Sequence, residues 1–496
     1  MRITQSMIYD RSLYYMNSSL SRLADLQEQY STEKRINKPS DDPSGYFEAR
    51  QLSTSIREFQ QYSDNVDTAT GWLNQADSTL LSTSTLLTNI QELAEQAATG
   101  TLSAEDRENV AVQVRELFEQ LITLANTSYS GSSIFGGQKT SGPAFTQVLY
   151  ASVDDETLGQ EAVVSVSGDS DTSVLVEFTD SGTIGGTAGI GYRFSTDGGE
   201  TWTEKTLAAG DTALDLDGCV VNMASGSAVT ETTDDAEGTM LTVRPTALYM
   251  GDDQDGSTVR SYGATGIAAE AEGVFSGNVM VRIDSNASLS GAVSYSYSTD
   301  GGTTWKENNT ADAQSLPVPG GYLNLSSNGG SSLTAGTQFT IVPNTADIAV
   351  PISPGSQIVI NNIGKDVFGG LYQASGSSSA TQALPFSDNV FEVVGDLVGR
   401  LETNDIDGVG DCLEALETAH QHVETCAADV GAREIRLEYV EKNLEDLEDS
   451  ATTSLSKVED ADLSQLIIDL AKYQYVYESV LSVSSKVMNM SLLDYI

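Results

Sequence analysis

The chain has 496 residues, with 71 acidic against 25 basic side chains and a formal net charge of −46. Such a surface repels nucleic-acid phosphates and anionic lipid, so neither nucleic acid nor membrane is expected as a partner. No apolar run approaches the roughly 18 residues of a membrane span, and the length allows several domains.

The N-terminus, Met1-Arg2-Ile3-Thr4-Gln5-Ser6, shows no apolar signal core. That predicts a cytoplasmic chain or an export route without a cleaved signal. From Tyr9, the residues Leu13, Met16, Leu20, Leu23, Gln27 and Tyr30 step by three and four. The spacing predicts a helix over about 6–35 with one apolar seam. Two prolines and three Asn/Asp residues within 37–43 break it, with Ser40 or Asp41 expected to cap the next helix. That second helix is predicted over about 46–98, with Gly100 ending it, on a seam from Leu52 and Ile56 to Leu87 and Ile90. Its length is about 78 Å. A third is predicted over about 103–128, with Glu105 and Asp106 in its first turn.

The middle of the chain alternates as β-strands do, as in Val174, Val176, Phe178 and in Val279, Val281, Ile283. It also repeats. Ser195-Thr196-Asp197-Gly198-Gly199-Glu200-Thr201-Trp202 returns 103 residues later as Ser298-Thr299-Asp300-Gly301-Gly302-Thr303-Thr304-Trp305. Each Asp-Gly-Gly predicts a hairpin turn, because such turns need positive φ. Two tandem antiparallel β modules of sandwich type are expected. Towards the C-terminus the spacing of three and four resumes from Cys412 to Val458, with an i,i+4 pair expected between Glu438 and Lys442. A last helix comes after the cap-like Asp460-Ala461-Asp462, on Leu463, Leu466, Leu470, Tyr473, Tyr477 and Leu481. The fold class is therefore α + β and multidomain: long terminal helices form a coiled-coil-like bundle, with β modules inserted between them. Its expected segments are 1–139, 140–250, 251–345, 346–386 and 387–496.

Catalytic and ligand-binding readings find little support. Cys219, Cys412 and Cys426 have no metal-ligand spacing and read as small buried apolar residues. The run from Asp405 to Asp411 has Leu416 where a calcium loop needs a bidentate Glu. Asp252, Asp253 and Asp255 read as a solvated turn. His420 and His422, two apart on one helix, are expected to face solvent or a subunit boundary. No enzyme, cofactor or metal is predicted. The two repeats fit the Asp-box hairpin, which resembles the turns of sialidase blades, and this leaves a carbohydrate-binding or sialidase-like protein as a remote alternative.

The run Lys34-Arg35-Ile36-Asn37-Lys38-Pro39-Ser40-Asp41-Asp42-Pro43, close behind Met1-Arg2-Ile3, closely resembles the flagellin superfamily. The Pro-Ser-Asp-Asp-Pro form, Ser132-Ser133-Ile134-Phe135-Gly136-Gly137, Gly364-Lys365-Asp366-Val367-Phe368 and the ending Met490-Ser491-Leu492-Leu493-Asp494-Tyr495-Ile496 resemble its hook-associated branch more than flagellin. The resemblance implies a non-enzymatic subunit of the bacterial flagellum, exported unfolded through a type III channel and sited extracellularly where hook meets filament. Flagellin itself is the alternative. Implied partners are further copies in a ring, the first hook-associated protein, flagellin, and a cytoplasmic export chaperone at the C-terminal helix. The assembly interface would comprise Leu13, Leu20, Leu23, Leu463, Leu466, Leu470, Tyr473, Tyr477, Leu481, Leu492 and Leu493. The turn residues Pro39, Asp41, Asp42 and Pro43 would set one helix against the next.

Overall fold

The computed structural model describes residues 5–99, 102–155, 158–233, 238–251, 257–273, 275, 277–343, 346–373 and 380–489. Gly100, Asp252, Asp253, Asp255, Leu492 and Leu493 lie outside the described residues. The chain divides into two compact units. The first comprises Met1–Thr68, Pro351–Gln357 and Ile435–Ile496; the second comprises Ala69–Val350 and Ile358–Glu434.

Seven helices occur among the described residues: α1 (Gln5–Thr32), α2 (Pro43–Ala98), α3 (Ala104–Ala125), α4 (Gly364–Phe368), α5 (Val390–Glu402), α6 (Ile406–Glu459) and α7 (Leu463–Asn489). The expected spans agree with these to within a few residues. The cap of α2 is a correction. Asp42 holds that place, accepting from Gly45 N at 3.0 Å, and Pro43 is the first helical residue. Helix α3 starts where predicted, and the structure adds a capping box in which Ser103 and Asp106 bond each other's backbone N–H. Along α2 the seam deepens. Leu52, Ile56 and Phe59 are half-buried, whereas Leu73, Leu80, Leu87 and Ile90 are fully buried.

The second unit contains the duplicated β structure. Strand Met240–Tyr249 pairs with Phe145–Asp154 on one side and Val174–Phe178 on the other, and Ile190–Ser195 and Thr203–Leu207 extend the sheet beyond the latter, all antiparallel. The second copy repeats that order: Ser257–Tyr262, Gln338–Pro343, Val279–Ile283, Ala292–Ser298, Lys306–Asp312. A three-stranded sheet accompanies each, Val163–Gly168, Cys219–Met223, Ala213–Asp215 in the first and Ile267–Gly273, Gly321–Ser327, Ser315–Val318 in the second. Each copy closes its own apolar core, around Val176, Phe178 and Val221 in one and Val281, Leu323 and Phe339 in the other.

The repeated hairpins explain their own sequence. Asp197 accepts from Ser195 Oγ at 2.7 Å and from Thr201 N and Oγ1 at 2.9 and 2.5 Å. Asp300 accepts from Ser298 Oγ, Thr304 N and Thr304 Oγ1 at 2.8, 2.9 and 2.5 Å. The two glycines after each Asp sit at positive φ. Each tryptophan carries an arginine, Arg193 over Trp202 at 4.4 Å and Arg282 over Trp305 at 4.5 Å. The two arginines come from different strands of the repeat unit.

Helix α5 is buried on nearly every side. It lies tight on strand Met240–Tyr249, since a Cβ on Gly395 would fall 2.2 Å from Pro245 O. Phe391 packs against Phe145 and Phe118, with ring centroids 4.9 and 5.9 Å away. Charges are sealed into the same contact. Arg244 Nη2 meets Glu392 Oε2 at 3.0 Å and its Nε lies 3.2 Å from Asp396 Oδ1, while Arg400 Nε holds Asp396 Oδ2 at 2.7 Å. Thr246 Oγ1 also donates to Glu392. Nearby, Arg115 grips Glu402 through two bonds of 2.9 and 2.7 Å.

Removing one partner of a buried pair strands the other charge. Arg244→Met is therefore expected to cost about 3–5 kcal/mol in urea unfolding, and the double variant Arg244→Met/Glu392→Leu markedly less. The Asp197 and Asp300 carboxyls are held down to about 2, chiefly by the Thr201 and Thr304 hydroxyls. A folded-state pKa below the ordinary value means that their contribution is complete above the usual carboxylate range and is lost as pH falls through about 2. Near-ultraviolet circular dichroism of the tryptophans should hold steady down to about pH 4 and change below it, whereas Asp300→Ala should differ already at neutral pH and show a smaller acid change.

Candidate assembly interface

In the first unit, α1 and α7 run antiparallel. Ser12 Oγ and Ser484 Oγ are 2.5 Å apart near one end of the pair, and Arg22 lies over the Tyr473 ring at 5.9 Å further along. At the other end the loops after α1 and α6 are joined through their backbones. Lys34 and Asp460 form an antiparallel bridge, flanked by Arg35 N to Glu459 O at 2.7 Å and Ala461 N to Glu33 O at 2.9 Å. Side chains reinforce it: Lys34 Nζ meets Glu459 at 2.8 Å, and Arg35 Nη2 donates to Val458 O at 2.7 Å.

The 37–43 turn is built into this joint. Asp41 Oδ2 accepts from the backbone N–H groups of Asn37 and Lys38 at 3.0 and 2.9 Å, and Asp42 takes Ser44 Oγ and Gly45 N. Those backbone donors hold both carboxyls below the ordinary range. Glu28 does the reverse for Lys38, raising it through a 2.6 Å bond. Ile36 is buried, and Gly45 must stay small because a Cβ there would lie 2.7 Å from Ile36 Cδ1. Pro39 and Pro43 are exposed. Asp462 caps α7, accepting from Ser464 N and Gln465 N at 2.9 and 3.1 Å.

Leu466 is buried, and Leu23, Leu470, Tyr473 and Tyr477 are half-buried. Leu13, Leu20, Leu463 and Leu481 are exposed, with Leu20 at 47% and Leu481 at 48%. The α1–α7 pair thus covers a thin line of its apolar residues. A groove of about 340 Å³ remains between the helices, lined by Tyr15, Ser19, Val476, Val480 and Val483 among others. Sequence periodicity missed Leu26, which is buried, and the outward Ile467, Ile468 and Tyr475. These were legible as apolar residues beside the seam.

Other readings need correction. His420 and His422 each bond within the second unit, His420 Nε2 to Ser84 Oγ at 2.7 Å and His422 Nε2 to Asp366 O at 2.9 Å. The predicted Glu438–Lys442 pair is not among the ion pairs of the described residues. The cysteine reading holds for Cys219 and Cys412, which are buried free thiols, whereas Cys426 is half-buried and burial pushes it up to about 11.

The bacterial flagellin N-terminal helical region matches residues 3–140, and the bacterial flagellin C-terminal helical region matches residues 413–496. Both ends of the chain are thus similar to helical regions of bacterial flagellin. Flagellar hook-associated protein 3 of Salmonella typhimurium is 35% identical over 148 residues, covering 30% of this chain and 47% of that protein. The protein of the same name in Escherichia coli is 34% identical over 148 residues, with the same coverage. Flagellin FlaB1 of Treponema pallidum is 31% identical over 112 residues, covering 22% of this chain and 39% of that one. The chain thus spans about half the length of the curated relatives it matches. Among solved structures, a putative flagellar hook-associated protein from Vibrio parahaemolyticus aligns at TM-score 0.39 and 10% identity, covering 85% and 100% of the two chains. The flagellar junction protein FlgL from Legionella pneumophila aligns at TM-score 0.32 and 15% identity, covering 83% and 99%.

Truncating the buried joint residue tests the geometry. Ile36→Ala is expected to cost about 2–5 kcal/mol locally. Hydrogen exchange should accelerate across 5–32 and 463–489 while the β modules keep their protection.

Proposed function

We propose that this chain is a structural, non-enzymatic subunit of the bacterial flagellum that joins the hook-associated end to the flagellin filament through α1 and α7. One observation carries the reading. Two terminal segments that match the flagellin helical regions are tied to each other by backbone hydrogen bonds, yet leave much of their apolar surface uncovered. A pair built this way is completed by neighbouring subunits. Its partners on this reading are further copies in a ring, the first hook-associated protein, flagellin, and an export chaperone that holds the C-terminal helix before secretion. The site of action is the extracellular hook–filament junction.

The junction role is favoured over bulk filament by the match to hook-associated protein 3, which is both longer and more identical than that to FlaB1. A glycan-binding role for the β modules has less support. Their Asp-box carboxylates are spent inside the hairpins and each tryptophan has an arginine over its ring.

Leu470→Glu places a charge in the seam, which costs several kcal/mol if it becomes dry on assembly. The variant is expected to be synthesised and secreted, with the β modules melting normally, while filaments detach or fail to form. Normal filament attachment in that strain would refute the assembly role. Labelled wild-type protein is expected at one point along each flagellum, between hook and filament; label along the whole filament would favour the flagellin reading.

A further inference from the structure

The chain contains six Asn-x-Ser/Thr triplets, at Asn17, Asn126, Asn286, Asn308, Asn324 and Asn489. Asparagine in that triplet accepts N-linked sugar when its amide nitrogen stands at the surface. The fold sorts the six. Asn126 is locked to strand Phe145–Asp154, donating to Phe145 O at 2.9 Å and accepting from Phe145 N at 2.8 Å. Asn324 is half-buried within its strand and donates to Glu272 at 2.9 Å. Asn17 lies on α1, one of the two helices of the candidate interface, and the side chain of Asn489 lies outside the described residues.

Asn286 and Asn308 differ from these. Both are exposed, and neither Nδ2 has a partner among the described residues. Asn286 sits in the loop between Val279–Ile283 and Ala287–Ser288, where its Oδ1 accepts from Ala335 N at 2.7 Å. The matching residue of the first module is Ser181, whose Oγ accepts from Glu231 N at 2.8 Å. The loop therefore needs one acceptor, which serine already supplies. Asparagine adds an amide nitrogen that the fold does not use.

Asn308 stands in a β-bulge, at φ 65°, on Lys306–Asp312, the last strand of its sheet. Its match in the first module is Lys205, which is held by Asp215 and Asp217. The first module contains one asparagine, Asn222, with Ala224 in the third place of the triplet. It offers no such acceptor. The two copies share a fold and differ in this chemistry.

We propose that the second β module is an acceptor of N-linked sugar at Asn286 and Asn308, from a donor activated as a sugar diphosphate ester. In the transfer Nδ2 bonds the sugar C1 as the bond from C1 to the phosphate oxygen breaks. The diphosphate leaves with the bonding electrons, and Nδ2 gives up one proton. Oδ1 is untouched, so the bond from Ala335 N survives. Sugar on Asn308 projects from the unpaired edge of the sheet and blocks edge-to-edge pairing between modules. This goes beyond the assembly reading and does not rest on it.

The test is peptide mass spectrometry of the full-length protein from the cells that make it, with fragmentation to locate any sugar. Sugar is expected on Asn286 and Asn308 and not on Asn126. A single sugar residue identifies a soluble nucleotide-linked donor, and a larger block of one fixed mass identifies a lipid-linked donor. Two variants check the site at Asn286. Asn286→Ser keeps the acceptor found in the first module, and Ser288→Ala keeps Asn286 itself. Each is expected to lose the sugar at that site alone, with the circular dichroism of the chain unchanged. Bare Asn286 and Asn308 in the native protein would overturn the proposal. So would sugar located on serine or threonine that persists in both variants. Neither result touches the junction role.

Discussion

The backbone joint between residues 33–36 and 458–461 is the constraint on which the first unit depends. Regular apolar seams do not fix their own register, since sliding one helix by a heptad brings similar residues back into line. Hydrogen bonds from Arg35 N to Glu459 O and from Ala461 N to Glu33 O permit one alignment only. They join chain segments more than four hundred residues apart, so α1 and α7 meet in the same way in every copy. Glu33 at positive φ and the Asp42 cap turn the chain sharply enough for the joint to form.

In the second unit α5 plays the corresponding part. It sits against Met240–Tyr249, α3 and the start of α6, and brings buried carboxylates to the buried Arg244. A buried ion pair adds little net stability compared with apolar residues of the same shape. Its effect here is on position, because Glu392 accepts from Arg244 and Thr246 together and Asp396 is shared between Arg244 and Arg400.

The long helices, the duplicated β modules and the flagellin-like ends were legible in the sequence because each rests on periodicity, repetition or a local turn. The cap of α2 was misread by one residue, since Ser40, Asp41 and Asp42 have similar capping chemistry and the choice depends on Pro43 taking the first helical position. The Arg244 cluster was not legible: its members are 148 and 152 residues apart in sequence, and only the fold brings them together. The seam residues are marked in the sequence by spacing alone. Spacing assigns a face but not a depth, which is why Leu466 is buried while Leu463 and Leu481, on the same helix, are exposed.

The two Asp boxes show which features of the repeat are constrained. In the first copy Arg193, on strand Ile190–Ser195, covers the tryptophan and pairs with Glu177 on the neighbouring strand. In the second copy the position matching Glu177 is Arg282, and the position matching Arg193 is Ser296. The cation has changed strand and still reaches the ring. In both copies, therefore, an arginine covers the tryptophan, 4.4 and 4.5 Å from the ring centroid. The thin α1–α7 seam invites the opposite conclusion. Where the β modules complete their contacts internally, twice over, the paired, register-locked terminal helices leave much of their apolar surface exposed.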